Sequence, residues 1–477
     1  MQPGKPWGGM ALVDPDGYAS PPVSSPARKE LRDLVVLALP IIGGFVGNQL
    51  MGVVDNVMVG RLGAAAIGGA GIGTGIYNAL SIVALGIALG IDPLVAQAVA
   101  AGEHGEARHS YWQGVRVALF ASLPLVVLIL LAPAILEPLG VEPAVAAETR
   151  RYVWGRAWNT VPVALFGAAR SYIQAAGYAR AIVVWTVVAN ILNFIFDAFL
   201  IYGDGALIKI GLPPVGLPAL GVLGAGVASS AASSLSLVIL WLAVAAVPAP
   251  PDPNRRRIDP ARMKQVLAIG LPVGLQLLVE VSAFAAASAL SGRIGQVAAA
   301  GNQVALTLAS MTFMVPLGIA SATSVRVGQA VGRGDARATR RAGLAGFAAS
   351  TLFMSLAVIG FLAIPGALAR LITDQSEVVA AAVPLVRVAA LFQLFDGIQV
   401  TAAAALRGAG DTRSSFYANL VGHFAIGLPI AVLLAFGLGL GATGLWWGLS
   451  AGLTTVALIL GLRFLSLSAR PIARIRG

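Results

Sequence analysis

The chain contains no cysteine and only three histidines among its 477 residues, and charged side chains make up just 11% of it. The missing thiols exclude a disulfide framework, a thiolate nucleophile and any Cys-based metal centre. His104, His109 and His423 are too few and too scattered to suggest a histidine metal site, so no cofactor is expected. Soluble domains carry about 25% charged residues. Here hydrophobic residues reach 57% and the mean hydropathy is +0.84, a surface that water cannot solvate and a bilayer can. The net charge of +11 would point to nucleic acid if it lay on one face, so its distribution along the chain decides its meaning.

Apolar runs divide the sequence into twelve expected membrane helices, at 35–59, 65–97, 115–136, 152–175, 181–203, 219–247, 265–291, 297–328, 342–367, 378–405, 414–437 and 441–467. Each meets the roughly 20 residues that a hydrocarbon core requires, and the longer ones imply tilt. The fold class expected is therefore an all-α integral membrane protein. Residues 1–33, rich in Pro, Gly and Ser without an apolar core, read as a flexible cytoplasmic tail and not a signal peptide. Residues 248–264, with five prolines and Arg255-Arg256-Arg257, read as a cytoplasmic linker between halves 34–247 and 265–467, and 468–477 as a basic cytoplasmic tail.

The two halves repeat each other. Pro40 returns as Pro272, Gly60-Arg61-Leu62-Gly63 as Gly292-Arg293-Ile294-Gly295, Leu85-Gly86-Ile87-Ala88 as Leu317-Gly318-Ile319-Ala320, and Gln97, Gly102 and Arg108 as Gln329, Gly334 and Arg340, all 232 positions later. Gly177 aligns with Gly410, and after a loop at 204–220 that is longer in the first half, Gly221 aligns with Gly441. A duplicated set of membrane helices is the sequence sign of a secondary transporter, whose halves move about a site between them. Six helices per repeat is an even number, so both repeats enter the membrane in the same direction. The expected relation is two six-helix lobes about a pseudo-two-fold axis along the membrane normal.

With the N-terminal tail placed in the cytoplasm, 24 of the 32 Lys and Arg fall on that side and 8 on the other. This is the positive-inside bias of a multi-pass plasma (inner) membrane protein with both termini cytoplasmic. The basic excess is then topological, and no nucleic-acid partner is expected.

The segment Met51-Gly52-Val53-Val54-Asp55-Asn56-Val57-Met58-Val59-Gly60-Arg61-Leu62-Gly63 resembles the first-helix signature of the multidrug and toxic compound extrusion (MATE) family. Thr401 to Arg413, TAAAALRGAGDTR, resembles the motif after that family's tenth helix. The resemblance spans roughly residues 34–467. It implies two six-helix lobes around a central cavity and export of organic, often cationic, compounds in exchange for Na⁺ or H⁺.

Four acidic residues lie deep in expected helices, Asp55, Asp197, Glu280 and Asp396, and none has a basic residue one turn away in its own helix. A charge at the bilayer centre costs about 2.5 to 3.5 kcal/mol on insertion scales, so such residues point to an ion or substrate pathway. At 1.5 Å per residue, Asp55 and Asp197 lie roughly 30 and 24 Å from the inner helix starts, in the outer part of the first half. Glu280 and Asp396, roughly 22 and 16 Å from the inner ends, fall nearer mid-depth. Their repeat counterparts are Ala287, Ile430, Asn48 and Val163, so the carboxylates differ between halves. Asp92, close to an inner helix end, reads as an interfacial capping residue, and His423 as a hydrogen-bonded packing residue.

Asn193 and Asp197, four apart, share one helical face. They resemble the Asn-x-x-x-Asp pair that, with the first-helix Asp, forms a proton- or cation-responsive site in some family members; Ser229 matches the hydroxyl position there, and Asn190 lies one turn before Asn193. Glu280 and Asp396 match the family's cation-binding acidic positions, where Na⁺ is the only metal to expect. Phe392 stands where some Na⁺-coupled members carry Tyr, which removes one oxygen ligand from that site. A buried carboxyl can exchange protons near neutral pH, so H⁺ is the coupling ion expected, with Na⁺ as the alternative.

The reading is a secondary multidrug antiporter working by alternating access, with small organic cations and the lipid bilayer as partners. The sequence leaves the oligomeric state open and is compatible with a monomer. A lipid or polysaccharide-precursor flippase would need a cationic cavity, for which Arg387 is the main deep candidate. An intramembrane enzyme would need a nucleophile-base pair or metal cluster, neither of which is visible, and a channel would not require divergent halves.

Overall fold

The computed structural model describes residues 26–209, 211, 213–248 and 257–475. Most of the expected N-terminal tail, Arg255 and Arg256 of the linker, and residues 476–477 lie outside the described residues. The described residues contain no strand. Their α-helices are, in order, α1 (Pro26–Val59), α2 (Ala64–Ala88), α3 (Asp92–Ala100), α4 (His104–Leu131), α5 (Pro143–Arg156), α6 (Thr160–Ala175), α7 (Arg180–Tyr202), α8 (Asp204–Lys209) and α9 (Val222–Ala246) in the first half. The second half contains α10 (Pro260–Ile294), α11 (Gln296–Gly332), α12 (Ala336–Ala363), α13 (Pro365–Arg370), α14 (Ser376–Ala409), α15 (Arg413–Leu420), α16 (Leu428–Val432) and α17 (Gly441–Leu467). Eleven stretches are long and apolar enough to cross a membrane.

Departures from the expected spans have local causes. The stretch 152–175 is not one helix: α5 and α6 meet at a 3₁₀ turn, Ala157–Asn159. Pro162 lacks an amide hydrogen and its ring presses on the carbonyl four residues earlier, which loosens the helix there. Pro93 acts in the same way where α2 passes through Leu89–Ile91 into α3. The stretch 414–437 contains two π-helical segments, Val421–Gly427 and Leu433–Gly437. The expected tail is helical from Pro26 onward, and Glu30 in that first turn and a half is held by both Nε and Nη2 of Arg326, at 2.8 and 2.7 Å. Repeat-aligned turns keep the same backbone: φ is +79° at Gly102 and +71° at Gly334, and +58° at both Gly221 and Gly441. The longer loop of the first half closes on Asp204, whose carboxylate accepts the backbone N–H groups of Val215, Gly216 and Leu217 at 3.0, 2.9 and 3.0 Å. These bonds, that of Val215 foremost, hold the Asp204 carboxyl below the usual aspartate range.

The halves meet where α2 packs on α10 and where α1 and α3 pack on α11. Small residues make the approach close: a Cβ added to Gly86 would stand 2.3 Å from the Cα of Gly274, and one on Gly90 would stand 2.4 Å from the carbonyl oxygen of Val266. The polar contacts between the halves all gather at one end of the helices among the described residues. There Arg407 of α14 pairs with Asp92 at 3.1 Å, Arg262 with Glu106 at 2.6 Å, and Gln329 donates to the carbonyl of Ala175 at 3.2 Å. The C-terminal segment crosses the same end. Arg474 pairs with Glu103 and Glu106, and the side chain of Gln97 accepts from the N–H of Ile475 at 2.9 Å while donating to the carbonyl of Gly408 at 3.2 Å.

Because the Gly86 contact is backbone to backbone, no rotamer change can relieve a side chain there. Gly86→Val should destabilise the protein by about 1 to 3 kcal/mol or more, the range for overpacking, seen as a lower thermal midpoint in detergent. Gly71→Ala, whose Cβ meets nothing within 4 Å, should leave the midpoint unchanged.

Candidate functional site

Asp55, near the end of α1, is buried, and four residues from three other helices converge on it. Asn193 of α7 donates through one Nδ2 to two carboxylates, to Asp55 Oδ1 and to Asp197 Oδ2, each at 2.6 Å. The i, i+4 spacing puts Asn193 directly before Asp197 on the helix face turned to α1. Ser229 of α9 donates to Asp55 Oδ2 at 2.9 Å, and Arg156 at the end of α5 places Nη1 3.2 Å from the same oxygen. Close contact positions α5: a Cβ on Gly155 would stand 2.6 Å from the carbonyl oxygen of Leu223 in α9, and Ser230 donates to the carbonyl of Gly155 at 2.7 Å. The Arg156 guanidinium also lies over the ring of Tyr77, 4.9 Å from its centre.

The cluster therefore holds two carboxyl groups and one guanidinium away from water. With both carboxyls ionised it carries one uncompensated negative charge, which a proton or a small cation would neutralise. Asp197 Oδ1 and Asn193 Oδ1 are buried without a hydrogen-bond partner among the described residues, so acceptor capacity is left over. Asn190 stays out of the cluster, its amide donating back to the carbonyl of Thr186 at 2.9 Å.

Glu280 on α10 and Asp396 on α14 lie in a second cluster, within Coulombic reach of one another. Gln399, three residues after Asp396, is fully buried beside Glu280, and neither end of its amide reaches close hydrogen-bond geometry with a partner among the described residues. Phe392 is 2% exposed and packs edge-on against Phe284 and Trp446, with ring centres 5.8 and 5.5 Å away. Its ring is thus occupied by aromatic neighbours and brings no oxygen to this region. His423, in the first π-helical segment, has its ring centre 6.4 Å from that of Phe284. The expectation that it is hydrogen-bonded does not hold, because neither ring nitrogen has a partner among the described residues.

Two further expectations are corrected. Asp92 is not an interfacial cap. It is 8% exposed and joined to Ser171 and to Arg407 of the other half. Arg387 is exposed and is no cavity cation, whereas Arg170 is buried between the rings of Phe45 and Phe166 at 5.2 and 5.8 Å. The sequence did not single out Arg156, whose partner lies 101 positions earlier. Its place beyond the first turn of an apolar stretch, flanked by Trp154 and Trp158, was the one available signal. No group of three or more acidic or histidine side chains suited to a metal ion occurs among the described residues.

The MatE family model matches residues 40–199 and 272–433, two stretches whose starts differ by the repeat offset of 232. A probable multidrug resistance protein NorM of Bradyrhizobium diazoefficiens is 35% identical over 476 residues, covering 97% of this chain and 100% of the relative. The protein of the same description from Pseudomonas putida is 34% identical over 450 residues, 91% of this chain and 94% of its own length. Among solved structures, the eukaryotic MATE transporter AtDTX14 superposes with a TM-score of 0.80 at 22% identity, covering 92% of this chain and 96% of that one. A MOP-superfamily transporter from Pyrococcus furiosus gives 0.82 at 18% identity with the same coverage.

Removing one partner of a buried ion pair leaves the other charge unpaired, a loss of about 3 to 5 kcal/mol. Arg156→Leu should therefore lower thermal stability strongly, and Asp55→Asn combined with Arg156→Leu should recover part of it. A double-mutant cycle in detergent melts checks this, and additive losses would show that the pair is not coupled.

Proposed function

The chain belongs to the MatE family, and from that premise we propose that it is a multidrug efflux antiporter, exporting organic cations in exchange for H⁺ by alternating access. The observation that carries this reading is the pair of buried carboxyls, Asp55 and Asp197, bridged by one amide and facing one guanidinium. Such a group has two charge states of similar standing, since a proton on either carboxyl balances the site and its loss leaves a negative charge. Each state favours a different hydrogen-bond arrangement among α1, α5, α7 and α9, so proton binding can bias how these helices pack. Glu280 and Asp396, with few hydrogen-bond donors around them, are the residues on which a cationic substrate or Na⁺ would compete for negative charge. The relatives' description as multidrug resistance proteins supports drug-like organic compounds as substrates, and the buried carboxyls are the reason to propose that they are cationic.

In this reading the eleven long apolar stretches and the broken α5–α6 segment make twelve spans. They form lobes 34–247 and 265–467, joined by the cytoplasmic linker 248–264 and related by a pseudo-two-fold axis along the membrane normal. The protein sits in the inner membrane, both termini cytoplasmic. The polar contacts around Asp92, Glu106 and Gln97 then close the cytoplasmic end, which corresponds to an outward-facing state. Opening to the cytoplasm requires the Arg407–Asp92 pair and the Arg474 contacts to break.

Orientation is checked with reporter fusions: a fusion at residue 257 should report cytoplasm, and one within 204–218 the outside. The opposite pattern would invert the scheme.

Export is checked with a fluorescent cationic dye in inverted vesicles, with pH and Na⁺ gradients imposed separately. A pH gradient alone should drive dye movement, Asp55→Asn should suppress it, and Glu280→Gln or Asp396→Asn should abolish or strongly reduce it while the protein stays in the membrane. Transport that follows only a Na⁺ gradient would overturn H⁺ coupling and return Glu280 and Asp396 to the role of Na⁺ ligands.

A further inference from the structure

A groove of about 980 Å³ opens between the start of α1, the start of α7 and the end of α9, at the same end of the helices as the contacts that join the two halves. Its wall is apolar and turned outward: Val36 is 62% exposed and Leu242 67% exposed, with Leu37 behind them. In a membrane protein such a wall faces lipid chains. The mouth of the groove is different, since Arg180, Tyr178 and Asp33 all line it. Arg180 is exposed and makes no hydrogen bond or ion pair among the described residues, and the Tyr178 hydroxyl has no partner there either. Asp33 is only 3.5 Å from Arg326, but that guanidinium is already engaged by both oxygens of Glu30.

We propose that this groove binds a membrane phospholipid with an amine-bearing headgroup, its phosphate on Arg180 and Tyr178, its ammonium at Asp33 and an acyl chain along Val36, Leu37 and Leu242. A free guanidinium and a free phenol hydroxyl are the donors a phosphate diester accepts from. A carboxylate at the same mouth disfavours a purely anionic headgroup and suits an ethanolamine. Basic pockets between membrane helices at the level of the headgroups are where lipid phosphates bind. From Asp33 to Pro40, both lining residues, α1 runs about 10 Å into the bilayer, so headgroup and chain meet their partners at the depths where they lie. The bound lipid would buttress α1 against α7, the two helices that carry Asp55 and Asn193. The inference stands apart from the export reading, because it concerns the lipid-facing surface alone.

Native mass spectrometry of the full-length protein, incubated in detergent with phosphatidylethanolamine, phosphatidylglycerol or diacylglycerol of the same chains, tests it. The wild-type protein should retain one phosphatidylethanolamine through detergent release, and several-fold less of the other two. Losing a charge-assisted hydrogen bond should lower retention roughly tenfold in Arg180→Gln. Leu242→Trp, which fills the groove without touching its mouth, should lower it similarly, and Arg387→Gln, at an exposed arginine elsewhere, should not. No lipid retained by the wild type, equal retention of all three lipids, unchanged retention in Arg180→Gln, or an equal loss in Arg387→Gln would each overturn the proposal.

Discussion

A carboxylate withdrawn from water needs a compensating partner, and in this fold the partner of Asp55 comes from a helix that the chain reaches only a hundred residues later. The Arg156–Asp55 contact constrains much around it. It requires α5 to end beside α1, which the Gly155 approach to α9 allows. It requires α7 to present Asn193 and Asp197 on the face toward α1, and it leaves Ser229 of α9 as the last donor to the same carboxylate. Four helices are held in one arrangement by a network in which most donors and acceptors are used. Asn193 Oδ1, Asp197 Oδ1 and Arg156 Nε, without partners among the described residues, mark where it is incomplete, and a network with that remainder can rearrange when a proton or ion arrives.

The second half solves the same problem differently. Its two buried carboxyls have no guanidinium beside them among the described residues; Glu280 has the Gln399 amide near it, and Phe284 and Phe392, one helical turn from Glu280 and Asp396, pack on each other. The π-helical segment Val421–Gly427 carries His423 beside Phe284, with neither ring nitrogen hydrogen-bonded among the described residues. Unsatisfied buried groups cost free energy, and under the proposed mechanism they are where an ion, water or substrate group would be taken up. The contrast with the first half fits the proposed division between a proton-responsive cluster and a cation-binding one.

Between the halves the forces are of another kind. Deep in the membrane, glycines let α2 and α10 touch backbone to backbone, and dispersion contacts without deep polar bonding allow such a surface to part. At one end the contacts are ionic and numerous, and the C-terminal segment adds Arg474 and Ile475 to them. Contacts that lie at a wetted end can exchange with water when broken, so they close the structure firmly without making closure irreversible.

The membrane class, the internal repeat, the approximate positions of most spans and the residue types at issue were determined by the sequence alone, because each rests on composition or on spacing along one helix. Asn193 and Asp197 share a face by virtue of i, i+4 geometry, and the carboxylates stand out because charge is rare where they occur. Tertiary structure alone decided which helix answers which charge. That Arg156 faces Asp55, that Arg407 reaches Asp92 across 315 residues, that Asn190 turns back on its own helix and that Arg387 looks outward all depend on how helices rotate and pack. Periodicity sets the direction of a side chain relative to its own axis; the rotation of one helix against another follows from the glycines, prolines and side-chain volumes at their contact, and these act only once the helices have met.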